Sequence, residues 1–68
     1  MFEFEGDYYN ATSIVAILKY EDGNDSKIEI LPYGVNTGDG INYNYKTEKE
    51  LNKFHAEAVD SWKKALGL

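Results

Sequence analysis

The sequence predicts an α+β domain: an antiparallel β-sheet of three to four strands followed by one C-terminal amphipathic helix packed on one face, in the order β-β-β-β-α. Three observations carry this reading. Thr12–Tyr20 is a β-branched, apolar run of the kind that makes a central strand. Asp22-Gly23-Asn24 is a turn signal that joins it to a second, alternating segment, Lys27–Leu31. Residues 48–66 carry apolar side chains at helical spacing. With 68 residues there is room for a single domain, 1–68.

The elements follow in chain order. Phe2 and Phe4 alternate with Glu3 and Glu5, which predicts a short first strand. Thr12–Tyr20 and Lys27–Leu31 then form a hairpin that Pro32 and Gly34 end. In the second arm Ile28 and Ile30 share one face, and Lys27, Glu29 and Leu31 share the other. A glycine-containing loop, Gly34–Gly40, leads to Ile41–Lys46, where Ile41, Tyr43 and Tyr45 lie on one side. The helix is expected at Glu48–Leu66. Thr47 and Glu50 have the spacing of a capping box, and Gly67 is placed to stop it. Leu51, Phe54, Ala58, Val59, Trp62, Ala65 and Leu66 fall within an arc about 140° wide on the helical wheel.

The expected core is Phe2, Phe4, Ile14, Ala16, Leu18, Ile28, Ile30, Ile41, Tyr43, Leu51, Phe54, Ala58 and Trp62. Val15, Ile17 and Leu31 would then point away from the helix. An apolar patch there is a surface for a homodimer or for a partner.

Composition removes whole classes of function. There is no cysteine, which excludes disulfides, cysteine–zinc sites and thiol chemistry. Twelve acids against seven lysines give a formal charge of −5, which opposes direct binding to nucleic acid or to an anionic membrane. No apolar run is long enough to span a bilayer, and the acidic start does not resemble an export signal, so a cytoplasmic location is expected. The charge is also unevenly placed. Residues 1–45 hold eight acids and two lysines; residues 46–68 hold four acids and five lysines. The predicted sheet is the acidic part, and the predicted helix is nearly balanced.

Catalytic and metal motifs are weak. His55, the one histidine, falls inside the apolar arc of the helix, where a packed, hydrogen-bonded role fits better than catalysis, and no cofactor or metal site is expected. Asp22, Asn24 and Asp25 lack the spacing of a calcium loop. The Gly34–Gly40 loop has the glycine content of a phosphate cradle, but it has no lysine and opens a strand rather than a helix. Small-ligand binding by this loop stays as an alternative function. Carboxylates mixed with tyrosines suggest a docking surface, because tyrosine combines contact area with a hydroxyl. The candidate partner-binding set is Asp7, Tyr8, Tyr9, Tyr20, Glu21, Asp22, Asp25, Glu29 and Asp39. Such a surface suits a protein partner with a basic cleft, which carboxylates can occupy in place of phosphates.

The short chain, the missing cysteine, the Asn/Tyr/Lys-rich composition, the acidic sheet half and the terminal amphipathic helix resemble the small inhibitors encoded by phages and mobile elements, anti-CRISPR proteins among them. The resemblance is one of type and spans the whole chain. It implies stoichiometric binding to a bacterial defence nuclease inside the host cell, and it assigns no residue a role. The expected function is therefore a non-enzymatic inhibitor, with a homodimeric assembly module as the alternative.

Overall fold

The computed structural model describes residues 1–23 and 25–68. Its elements are β1 (Phe2–Phe4), β2 (Asp7–Tyr9), a 3-10 turn (Ala11–Ser13), β3 (Ile14–Asp22), β4 (Asp25–Pro32), β5 (Ile41–Tyr45) and α1 (Glu48–Ala65). The fold is α+β. It contains a three-stranded antiparallel sheet in the order β3-β4-β5, a separate two-stranded sheet, β1-β2, and the C-terminal helix.

β2, three residues long, is a strand not expected from the sequence. The chain reverses at Glu5-Gly6, where both residues have positive φ (51° and 84°), as a two-residue primed turn requires. Phe4 then faces Asp7, and Phe2 faces Tyr9. Between β3 and β4 the chain turns at Gly23, which has φ 61°. Asn24, the last residue of the expected turn signal, lies outside the described residues.

One face of the larger sheet carries the core. Ile17, Ile28 and Ile30 pack there with Phe2 and Phe4 of the hairpin, Ala11 and Ile14, and Leu51 and Ala58 of α1. Tyr9, Tyr43, Tyr45, Phe54, Val59 and Trp62 close its sides. One aromatic contact ties the hairpin to this assembly, Phe4 meeting Tyr43 edge-on at 5.0 Å, while Phe2 stacks on Tyr9 within the hairpin at 5.5 Å between ring centres.

This corrects the expected facing of β3. Ile17 is buried in the core, whereas Ala16 and Leu18 are half-buried on the other face. The cause is an irregularity in register between Ile14 and Ala16. An extra residue at Val15 lets Ile14 and Ile17 face the same side, reversing the alternation downstream. Val15 itself is exposed, Ile17 is buried under the helix, and Leu31 is buried on the opposite face. The three residues do not form one exposed apolar patch.

The helix behaves as its sequence dictates. Thr47 Oγ1 accepts the Glu50 amide at 3.1 Å, satisfying a first-turn donor. At the other end Gly67 takes φ 83°, and the amides of Leu68 and Gly67 bond back to the carbonyls of Lys63 and Lys64 (2.9 and 3.0 Å). Three side chains fasten α1 to the sheet side. Trp62 Nε1 donates to the Ala11 carbonyl (2.9 Å), His55 Nε2 to the Ile17 carbonyl (2.9 Å), and Lys19 Nζ to Asn52 Oδ1 (2.7 Å). Because a carbonyl can only accept, His55 carries its proton on Nε2. The histidine is a packed, hydrogen-bonded residue.

Candidate functional site

The candidate docking residues separate into three groups. Glu21, Asp22 and Asp25 are all exposed and lie where β3 passes into β4. Glu21, Asp25, Gly23 and Ser26 line a shallow depression that Lys46 and Glu48, at the start of the helix, complete. Glu48 was not among the expected residues. Its position beside the turn follows from the pairing of Ser26 with Tyr45, which brings the β5–α1 junction to this end of the sheet.

Asp7 and Tyr8 lie on β2, at some remove from that group in the chain's topology. Tyr8 is 71% exposed. Asp7 is exposed and accepts the Tyr43 hydroxyl at 2.6 Å. Tyr43 spends its one proton on Asp7, so the Tyr9 hydroxyl is the donor in its hydrogen bond to Tyr43. Tyr9 is thus half-buried and committed to the fold rather than free to anchor a partner. A second acidic depression lies close by, lined by Glu3, Glu5, Phe4 and Gly6 of the hairpin and by Phe54, Glu57 and Ser61 of the helix. Tyr45 donates to Glu5 at 3.2 Å and stacks on Phe54 at 5.2 Å. Glu3 and Glu5 belong to the first strand and its turn and Glu57 to the helix, so their meeting depends on how the helix packs against the hairpin, which no local sequence signal shows.

These carboxylates leave a mark on the tyrosines. Burial, followed by the hydrogen bond to Asp7, pushes the Tyr43 phenol far above its usual range. Burial and the charges of Glu5, Glu50 and Glu57 do the same to Tyr45. Tyr9 is raised chiefly by burial.

Glu29, Tyr20 and Asp39 form the third group, on the face of the sheet opposite the helix. Here the expectation of an exposed docking carboxylate is overturned: Glu29 is completely buried. Its Oε1 accepts the Tyr20 hydroxyl at 2.7 Å, and its Oε2 accepts the backbone amides of Gly38 and Gly40, both at 2.8 Å. Lys27 stands near, its ammonium 5.1 Å from the centre of the Tyr20 ring. Burial alone would raise the Glu29 carboxyl. The Tyr20 hydroxyl, the two amides and the charge of Lys27 outweigh it and hold the group below its ordinary range. The bond to Glu29, more than burial, raises the Tyr20 phenol. Asp39 is exposed in the loop above. The loop's glycine amides do form an anion-binding nest, as the phosphate-cradle comparison suggests, but the anion is the chain's own carboxylate.

Among the described residues no group of three or more histidine, aspartate or glutamate side chains is arranged to hold a metal ion, and no helix is long and apolar enough to cross a membrane. Comparison with protein-family models, with curated proteins and with solved structures finds no match to this chain in any of the three.

Proposed function

We propose that this protein is a non-enzymatic binding module that places an acidic surface against a basic protein partner. One observation supports it most: the exposed carboxylates are not neutralised from within. Among the described residues the one ion pair joins Lys64 to Asp60 at 3.1 Å, both exposed on the helix. Glu3, Glu5, Asp7, Glu21, Asp22, Asp25 and Asp39 are exposed without a lysine in ion-pair contact, on a chain of net charge −5. Uncompensated surface charge raises the rate of encounter with an opposite charge and selects against like-charged partners.

The surface we assign is the β3–β4 end, where Glu21, Asp25 and Glu48 share a depression with Lys46 and Asp22 stands exposed; the hairpin acids Glu3, Glu5 and Asp7 form a separate acidic region. Tyr8 is the exposed aromatic of the hairpin; Tyr9 and Tyr20 serve the fold, and Glu29 serves the loop. The finer reading, a phage-encoded inhibitor of the anti-CRISPR type acting on a defence nuclease in the bacterial cytoplasm, rests on the resemblance of type and belongs to the same proposal. The test is capture from a bacterial lysate, comparing the natural chain with Glu21→Lys/Asp22→Lys/Asp25→Lys. A partner held at low salt, released at high salt and lost by the triple variant is the expected result. A partner held equally by both chains, or held regardless of salt, would overturn this surface.

A further inference from the structure

Residues 33–40 join β4 to β5 and meet Glu29 on the face of the sheet opposite the helix, and they are held by few hydrogen bonds. They form neither strand nor helix. The Tyr33 amide bonds to the Ser13 carbonyl (3.0 Å), while the amides of Val35 and Asp39 bond only to carbonyls three residues back, Pro32 and Asn36. The amides of Gly38 and Gly40 go to Glu29. Apart from Tyr33 and the local turn from Val35 to Pro32, therefore, the hydrogen bonds that the described backbone amides of this segment make to the rest of the molecule converge on one carboxylate oxygen.

Leu31 is only 8% exposed, yet it is not part of the main core. It pairs across β3 with half-buried Ala16, and the next pair on the same face is Leu18 with Glu29. Gly40 fits tightly against this face: a Cβ there would sit 2.6 Å from the Ile30 carbonyl and 2.9 Å from Glu29 Oε2.

We infer that residues 33–40 are a strap latched by Glu29, which opens as a unit of its own while the core beneath the helix stays intact. The mechanism is local. Losing one acceptor frees two glycine amides and the Tyr20 hydroxyl together, and a segment with few buried apolar contacts then opens at low cost. The Ile28 and Ile30 amides, in the middle of the sheet, do not depend on the strap.

Hydrogen exchange of the full chain, read residue by residue, tests this. In Glu29→Gln the Gly38 and Gly40 amides should exchange faster by on the order of tenfold or more, with Ile28 and Ile30 unchanged. Tyr20→Phe, which keeps the carboxylate and removes one of its three donors, should quicken the same two amides by a smaller factor, and it decides the matter if Glu29→Gln fails to fold. Equal acceleration of Gly38, Gly40, Ile28 and Ile30 would make Glu29 a support of the whole fold and overturn the inference. Unchanged exchange at Gly38 and Gly40 would overturn it as well.

Discussion

Tyr43, on an edge strand of the larger sheet, donates its hydroxyl to Asp7 of the N-terminal hairpin at 2.6 Å while accepting that of Tyr9. Among the described residues no backbone pairing joins β5 to the hairpin, so these hydroxyls, together with the bond from Tyr45 to Glu5 (3.2 Å), form the polar join between the two sheets. Tyr43→Phe removes both bonds and leaves the half-buried Tyr9 hydroxyl without an acceptor. The expected loss is about 1–2 kcal/mol, read as a fall in Tm of roughly 4–8 °C per kcal/mol for a chain of this size. A melting curve that does not move would remove the hydroxyl chain from the account.

Alkaline pH should act through the same tyrosines. Tyr9, Tyr20, Tyr43 and Tyr45 all have phenols raised above the ordinary value of 10.0 in the folded state. The fold therefore favours their neutral forms. Their contribution is fully present below pH 10.0 and is lost as pH climbs through the raised values. Phenolate absorbance from these four should rise together with loss of helical circular dichroism. Full ionisation of all of them in a chain that is still folded would contradict the assignment.

Acid should release a different group. The Glu29 carboxyl is lowered from 4.5, so its contribution is present above that value and is lost as pH falls through the lowered one. Denaturant midpoints for the natural chain and for Glu29→Gln should converge as pH falls below 4.5 and through the lowered value. A constant gap between the two would show that ionisation of Glu29 plays no part in stability.

Gly40 and Gly34 offer a contrast between two kinds of glycine. At Gly34 the backbone has φ 82° with open space around a Cβ, so Gly34→Ala should cost about 1 kcal/mol of backbone strain. At Gly40 the difficulty is contact: alanine forces the Ile30 carbonyl or the Glu29 carboxylate to move. Gly40→Ala should cost about 1–3 kcal/mol and should loosen the Tyr20–Glu29 bond, visible as a Tyr20 phenol that ionises at lower pH. Equal effects of the two substitutions would argue against the tight fit.

Much of the fold was legible from local signals. Thr47, Glu50 and Gly67 marked the helix because caps depend on residues adjacent in the chain. The β3–β4 hairpin was legible for the same reason. The facing of β3 was not, since Ile14, Val15 and Ile17 are all good strand residues on either face and a bulge leaves no trace in such a run. The three-residue strand β2 was too short to show a period, and Glu5-Gly6 is a weaker turn signal than Asn-Gly. Within the candidate site, the exposed acids at the β3–β4 end were read from composition. Glu29 alternated with Lys27 as a surface carboxylate would, and its burial comes from glycines nine and eleven residues further on.

The bond from Trp62 to the Ala11 carbonyl joins positions 51 residues apart, near opposite ends of the chain. During synthesis the N-terminal hairpin and the 3-10 turn are made early, yet their covering helix arrives last. A fragment that ended after β5 would lack the helix and leave the apolar side of the meander open to water. Premature release of such a fragment would yield a sticky, protease-sensitive product, and the cell's quality control, rather than the fragment's own stability, would determine its lifetime.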